Sequence, residues 1–581
     1  MKTVKLNLLA KILVSPNALA LTAGSPAHEP GMKFVNELLP VTQDEDLICG
    51  SGISLLPEDY PGNLGKEFPE MVRSGVAKGL HLRGGGSDDG DKKQSEQIID
   101  AVQSTGMRLF RTSLGETYCA IPGKGGGQMI HPVKSDALRG YLRRQYFRKT
   151  GKPPASAAIS EALDHFEAVA LFDSPTEQVH IRVAGYQGEV YVDLGDETNR
   201  AIRINADGYS VTDEVPVNFI RPHGTFGALP QPEDGFDSEE LRNLLGMDQV
   251  NFCLLIAFCI SALNPMGPFF VLQIHGEHGS GKSNTAKLVK DIIDPNVADK
   301  LRMPRSEQDM AINAQGQWLL NYENLSHLSP DQSDMLCTIA TGGAFSARKL
   351  YTDDEQKTFV FRRPVILNGI GNYAPRADLQ DRSIPLNLTA ISPEKRKTER
   401  EMQAALDRLS PGFLGYLYDC VSMALKRINE VEAPKTFRMA DAAHWLLAAE
   451  PATGFQTGAI FEVLEKVQQQ LMAQSVVNDT LTAALLEMLL DAPDNAFSGR
   501  FGKLFDLLHA RGRNHGKGLP ASPSALSSKI ERLKPSMRKI GLEVDDGPRT
   551  ANGQIINLRL SDAGLALARE LGDPEKDLPP F

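Results

Sequence analysis

The spacing of apolar positions changes several times along the chain, and each change marks a different kind of element. Stretches near 94–106 and 136–150 repeat at helical spacing. Val179–Val183, Glu189–Leu194 and Ala201–Ile204 are short β-branched runs that predict strands. Val250 to Leu263 is almost uninterruptedly apolar and predicts a buried helix, and Val271–Ile274 predicts a buried strand. Ala286, Leu288, Val289, Ile292 and Ile293 then give Asn284–Ile293 a helical period. Gln317–Tyr322, Thr358–Phe361 and Arg363–Asn368 are further strand-like runs. Residues 393–495 read as helices. Beyond them come a helix (Gly502 to His509), a second helix opened by Ser522-Pro523 as cap and first-turn proline, and a hairpin pairing Leu542–Val544 with Ile555–Leu560.

At 581 residues the chain exceeds what one core can organise. Stretches rich in Gly, Pro and charge, Arg83–Lys93 and residues 221–237, predict linkers. The expected organisation is a segment 1–93 of unknown role, an α/β accessory domain 94–225, an α/β core 238–392, a helical region 393–495, a C-terminal module 496–561 and a tail 562–581. Composition (41% apolar, 23% charged) is that of an ordinary soluble globular protein, and the net charge of −11 confines any nucleic-acid contact to local patches. Six cysteines without a C-x-x-C pair predict buried thiols rather than zinc ligands or disulfides. Lys11 breaks the apolar N-terminal stretch and no run approaches eighteen apolar residues, so the expectation is a cytoplasmic protein with no membrane partner.

The sharpest chemistry lies at Gly276-Glu277-His278-Gly279-Ser280-Gly281-Lys282-Ser283, of the form G-x-x-x-x-G-K-S, followed by Asn284. Glycines let backbone N–H groups turn inward around a phosphate, Lys282 reaches the β/γ-phosphates, and the Ser283 hydroxyl ligates Mg²⁺. A strand before the loop and a helix after it would put the phosphate at a helix N-terminus. The expectation is an ATP hydrolase with ATP and Mg²⁺ as cofactors. Glu323-Asn324, at the end of the next strand-like run, offers an acid to hold the metal and polarise water.

Beyond the loop the order of elements is informative. Glu323 is followed by Thr341–Asp353, by the apolar Arg363–Leu367 ending in Asn368, and by Asp378–Leu386 containing Arg382. This order resembles superfamily 3 helicases, the AAA+ branch used by viruses, phages and satellites, and is similar to the helicase part of phage and satellite primase-helicases. The resemblance is specific over about 270–390. It implies an AAA+ P-loop core, a parallel sheet with flanking helices, in which Lys282 and Ser283 form the Walker A pair and Glu323 the Walker B acid. It implies that Asn368 is the sensor amide, that Arg348 and Lys349 sit on a hairpin lining a central channel for single-stranded DNA, and that Arg382 reaches a neighbouring subunit's ATP. A homo-hexamer or similar ring follows. Two features depart from the pattern: Asn324 stands where many members carry a second acid, and Leu367-Asn368-Gly369 allows the sensor to shift by one residue. For Arg382 the alternative is an intrasubunit pair with Asp378 or Asp381, and for Arg348 and Lys349 a solvated surface hairpin.

Residues 496–561 hold twelve Lys/Arg against five Asp/Glu, an excess of seven in an acidic chain. Helix, helix and two-stranded wing is the winged-helix order, with Lys529, Arg532 and Lys534 outward on the second helix and Arg549 on the wing, suited to duplex DNA. A winged helix used for protein contacts is the alternative. Leu142–Lys149 mixes aromatic and basic residues. It fits either a grip on a nucleic-acid backbone or an amphipathic helix with a solvated basic face. Two functions remain: an ATP-driven ring helicase or translocase in the replication of a phage, satellite or other mobile element, or a DNA-sensing AAA+ switch or scaffold, for example in antiphage defence, without processive unwinding.

Overall fold

The computed structural model describes residues 33–35, 69–73, 92–123, 126–222, 224–348, 356–371, 373–392, 394, 396–435, 437–477, 479–511, 518–550 and 553–571. The chain divides into two compact units, one of Met1–Ser104 with Arg139–Asp164, the other of Thr105–Leu138 with His165–Phe581. In the first unit the helix Gln94–Gln103 buries Ile98 and Val102, and its neighbours bury Leu142, Tyr146, Ile159 and Leu163. Gln94 links them, donating to the Tyr146 hydroxyl (3.1 Å) and accepting from the Ala155 N–H (2.8 Å).

The second unit opens with an antiparallel sheet of β1 (Arg108–Arg111), β2 (Thr117–Pro122) and β3 (Gln128–Pro132). A short β4 (Val179–His180) then precedes a meander of β5 (Val183–Tyr186), β6 (Glu189–Asp193), β7 (Ala201–Asn205) and β8 (Gly208–Thr212). β9 (Asn218–Phe219) returns to pair in parallel with β4. The strand expected over Val179–Val183 is broken at Arg182, where φ is 61° and the Val183 N–H bonds back to the Ile181 carbonyl (2.7 Å). This is a γ-turn of the rare, strained hand. It turns the Arg182 side chain inward, fully buried, onto Asp294.

Val190, Val192, Ile202 and Ile204 from the meander share one core with the helix Gln249–Ala262, twelve of whose fourteen residues are buried. The sheet expected to belong to a separate accessory domain is therefore joined to the core that carries residues 238–392. Residues 221–237 are likewise not a free linker. Gly227, Leu229 and Glu233 donate backbone bonds to Pro295, Leu194 and Pro411, and Phe236 stacks on Phe413. Pro and Gly there bend the backbone without freeing it.

The central sheet is parallel, in the order β11 (Leu320–Leu325), β14 (Val365–Gly369), β10 (Val271–Gly276), β15 (Ser383–Leu388). A single extended residue, Leu301, bridges in parallel to the outer edge of β11. β12 (Gly343–Arg348) and β13 (Gln356–Phe361) form a separate antiparallel hairpin. The helical region that follows includes Glu399–Arg427, opened by a Thr398/Glu401 capping box.

The C-terminal module is larger than its sequence boundaries. The helix Thr480–Leu490, β16 (Ala496–Arg500), the helices Phe501–Arg511 and Pro523–Lys539, and the hairpin of β17 (Leu542–Thr550) and β18 (Gly553–Leu560) surround one core. Ala568 of the terminal helix Asp562–Leu571 is buried in the same core. Residues assigned to the helical region and to a tail thus belong here, because their apolar side chains are buried in this core.

One buried carboxylate joins the meander to the central sheet. Asp294 is wholly buried and accepts from Arg182 Nε (3.2 Å), Lys290 Nζ (2.8 Å) and the backbone N–H groups of Trp318 (2.8 Å) and Leu319 (3.0 Å). Removing it strands two buried cations. Asp294→Ala is expected to cost about 3–5 kcal/mol, or to prevent folding. Urea unfolding measures this, and a loss below about 1 kcal/mol would show that the network is not structural.

Candidate functional site

The loop 276–283 leaves the C-terminal end of β10, the end of a parallel sheet where ligands sit in open α/β folds. It leads into the helix Lys282–Ile293. Three positions favour glycine, among them Gly279 with φ 78°. A Cβ on Gly276 would lie 2.5 Å from the Leu388 carbonyl oxygen, and Gly281, the residue before the helix, has φ 83°. Glu277, His278 and Gly279 are exposed, Ser280 is buried with its Oγ donating to the Glu277 carbonyl (2.9 Å), and Ser283 is exposed on the first helical turn beside Asn284. Lys282 Nζ folds back to the carbonyls of Gly276 and Glu277, both at 2.7 Å. Its ammonium therefore lies within the loop, and burial pulls its pKa below the ordinary lysine range.

Glu323 reaches the same end of the sheet through a bulge. Tyr322 pairs with Leu367 and Leu325 with Gly369, so Glu323 and Asn324 together face Asn368. Asn324 absorbs the extra residue with φ 59°, a left-handed conformation that Asn tolerates better than most residues. Its side chain points to solvent while Glu323 and Asn368 are buried. Burial pushes the Glu323 carboxyl above its usual range, opposed by Lys300 (3.8 Å) and by the amides of Asn321 and Asn368. Glu323 Oε1 is a buried acceptor with no hydrogen-bond partner among the described residues. An orphaned carboxylate oxygen on the strand beside the loop's own neighbour fits a cation ligand, and the Ser283 hydroxyl is a second oxygen donor of the right type. The strand begins at Leu320 rather than Gln317, because Gln317 is spent on Lys290 and the Trp318 N–H on Asp294.

Three residues of the site were not found in the sequence. Tyr373 is fully buried and its hydroxyl meets the carbonyls of Ile274 (3.3 Å) and Leu367 (3.0 Å), tying β10 to β14 just below the loop. His275 stacks on it at 4.8 Å. Arg396, four residues past the expected end of the core, lays its guanidinium against the loop, with Nη2 3.1 Å from where a Gly279 Cβ would stand. Arg396 lies in the irregular segment before the helix Glu399–Arg427, and a contact made from so far along the chain leaves no spacing signal.

Arg382 lies elsewhere. It precedes Ser383, which pairs with Val271 at the start of β10, so it sits at the opposite end of the sheet from the loop. The five steps from Val271 to Gly276 span about 17 Å. Arg382 forms no ion pair among the described residues. Its Nη1 donates to the Asp378 carbonyl (2.6 Å), its Nε is buried and unpartnered, and Arg438 takes the carboxylates of both Asp378 (3.0 Å) and Asp381 (3.4 Å). The hairpin carrying Arg348 has the expected antiparallel register, but the Arg348 side chain and Lys349 lie outside the described residues.

In the C-terminal module two of the four cations assigned to DNA are engaged internally. Lys529 pairs with Asp479 (2.8 Å), the cap of the helix Thr480–Leu490, and Lys534 with Asp546 of β17 (2.5 Å). Their positions on a helix packed into this core put them against those acids. Arg532 and Arg549 are exposed and hold no ion pair among the described residues. A further concavity of about 390 Å³, lined by Gln128, His131, Asp213, Glu214 and Arg221 among others, contains no residue of the loop.

Residues 240–467 match the family model described as the actinomycete integrative conjugative element replication protein, and residues 481–569 match the model of the AICE RepA C-terminal domain. The chain is thus similar, in two consecutive segments, to a replication protein of a mobile element. Two solved structures of the NrS-1 C-terminal region, both apo, align at 13% identity. One covers 80% of this chain and 99% of its own (TM-score 0.38), the other 81% and 100% (TM-score 0.35). No curated protein matches the chain. Among the described residues no single helix is long and apolar enough to cross a membrane.

Burial pushes the rings of His275 and His180 down to about 4, with Lys282 and Arg363 respectively adding to the effect. The unfolded chain protonates these rings below about 6.5 and the folded chain only near 4. The stability they contribute is therefore full above 6.5 and is lost as pH falls through that window. Between pH 6.5 and 5 each ring is expected to cost up to about 2 kcal/mol. A His180→Gln/His275→Gln double variant should show a flatter stability profile over that range by urea titration; an unchanged slope would remove both rings from the account.

Proposed function

We propose that the chain is an ATP-driven, ring-forming DNA helicase or translocase, built on an AAA+ core of superfamily 3 type, that acts in replication of a mobile element. One observation carries the reading: the glycine loop with Lys282 leaves the sheet at the same end as a buried, cation-ready carboxylate, Glu323, held opposite the Asn368 amide of the strand between them. The strand order, with Leu301 as a one-residue outer strand, agrees with an AAA+ core. The match to a replication-protein family favours replication over the switch or scaffold reading, and no structural feature favours the latter.

In this mechanism the loop N–H groups and Lys282 bind the ATP phosphates, and Arg396 stands where it can contact them from the same subunit. Ser283 and Glu323 would hold a Mg²⁺ ion, which when bound would supply charge neutralisation for the phosphates. Glu323, its pKa raised by burial, is suited to accept the proton of the attacking water. Asn368 orients that water and the γ-phosphate. Asn324, turned to solvent, takes no part. Arg382 is too far from its own loop to serve it, so as an always-charged planar donor it would complete a neighbour's site, which requires a ring, by analogy a hexamer. Arg348 and Lys349 would track single-stranded DNA in the channel. The C-terminal module would act as a winged helix on duplex DNA, with Arg532 and Arg549 rather than Lys529 and Lys534 making the phosphate contacts.

Lys282→Ala is expected to abolish ATP hydrolysis without moving the melting curve. Glu323→Gln should retain ATP and slow hydrolysis by well over tenfold, about 1.4 kcal/mol. Arg382→Ala should bind ATP yet hydrolyse it poorly, and mixing it with the Lys282→Ala protein should restore part of the activity. Steady-state phosphate release, with strand displacement on forked DNA, measures all three. Substantial turnover by Lys282→Ala would sink the nucleotide site, and mixed rings no faster than either mutant would sink the trans arginine.

A further inference from the structure

The helix Asp136–Thr150 has two unlike faces. Leu138, Leu142 and Tyr146, spaced by four, are buried, and the Tyr146 hydroxyl is held between Gln94 (3.1 Å) and Gln97 (3.4 Å), which fixes the rotation of the helix. The opposite face presents Arg143, Arg144, Phe147 and Arg148, all exposed. Phe147 keeps 55% of its surface in solvent, although nothing in a solvated basic face calls for an aromatic ring. At about 100° per residue, Phe147 falls some 40° from Arg143 and 60° from Arg144, one turn along the helix, so the ring stands between two guanidinium groups with Arg148 beside it. After Asp136 the helix contains no acid, and none of the three arginines holds an ion pair among the described residues. Neighbouring cations elsewhere in the chain, such as Lys529 and Lys534, are neutralised by acids. Here they are not.

We propose that this face is a binding site for single-stranded DNA, with Phe147 as a platform on which a base stacks and Arg143, Arg144 and Arg148 contacting the phosphates on either side. Both halves of the ligand are matched: an exposed ring offers a base its π-face, and planar cations on the flanks meet the backbone. Duplex DNA hides its base faces in the stack and leaves the ring unused. The face belongs to the unit of Met1–Ser104 with Arg139–Asp164, not to the unit holding the phosphate loop, so the site stands whether or not that loop hydrolyses ATP.

The full-length protein, titrated with fluorescent oligo-dT at several salt concentrations, tests this. Arg143→Ala/Arg144→Ala/Arg148→Ala is expected to weaken binding at least tenfold at low salt and to lower the salt slope by about 2, since each lost phosphate contact on a single strand removes about 0.7. Phe147→Ala should weaken binding by roughly five- to a hundredfold while leaving the slope unchanged, because stacking releases no counterion. Phe147→Tyr should bind like the parent. Basal ATP hydrolysis, measured alongside, should be the same in all three, so a failure here is distinct from a failure of the nucleotide site. Parent-like affinity in the triple variant and in Phe147→Ala overturns the proposal. So does an equal loss for duplex DNA, or a selective loss of binding to phosphatidylserine vesicles, which would make the face a general or lipid-directed anion surface.

Discussion

The spacing between the two halves of the candidate nucleotide site depends on the burial of the Asp294 carboxylate. Asp294 caps the C-terminal end of the helix whose N-terminus carries Lys282, and the same side chain receives the N–H groups of Trp318 and Leu319 just before the strand that carries Glu323. Lys290 adds a second tie, bonding Asp294, Gln317 and the Leu319 carbonyl (2.6 Å). Burial by itself would raise the Asp294 carboxyl, but Lys290 and Arg182 outweigh it and hold it below the usual carboxylate range. Both oxygens have donors, Oδ1 from Arg182 and Oδ2 from Lys290 and the two backbone N–H groups, which is the condition under which a buried charge is tolerated.

Arg182 extends that constraint to the meander. Its guanidinium is spent on Asp294, on the carbonyls of Asp193 (2.9 Å) and Gly227 (2.7 Å), and on the Phe226 ring at 3.7 Å from its centroid. Asp193 in turn pairs with Arg221. The strained turn at Arg182 is thus held in place by several contacts at once, as backbone strain must be. The segment following the meander is strapped to the core by the same interactions. A loop that is to bind phosphate needs a rigid base if its N–H groups are to stay aimed at one point, and this network would give the loop 276–283 such a base.

A comparable economy governs the charged surface. The C-terminal module is basic by composition, yet much of that charge neutralises acids of the same module: Lys529 with Asp479, Lys534 with Asp546, Arg538 with Asp545. A count of cations along a sequence therefore overstates how many are free to meet a polyanion. The helix Asp136–Thr150 shows the converse. It lies outside the conspicuously basic region, but its Arg143, Arg144 and Arg148 are exposed and hold no ion pair among the described residues.

The features legible in the sequence were local ones. The G-x-x-x-x-G-K-S loop, the helix after it, the apolar helix before it and the hairpin at β12 and β13 each follow from residue type and spacing within about fifteen positions, where backbone sterics and periodicity act. Glu323 and Asn368 were found for the same reason, as polar residues ending apolar strands. What folding alone decided involves partners far apart in the chain. Arg182 and Asp294 are separated by 112 positions, and no spacing announces their pairing. Arg396 meets Gly279 only because the irregular segment after β15 returns over the loop, and the ordered strap at 221–237 has a linker's composition. The sequence by itself determined which short segments could bind phosphate. Only the tertiary structure decided which charges are spent on one another and which remain for a ligand, because pairing depends on proximity through space and not along the chain.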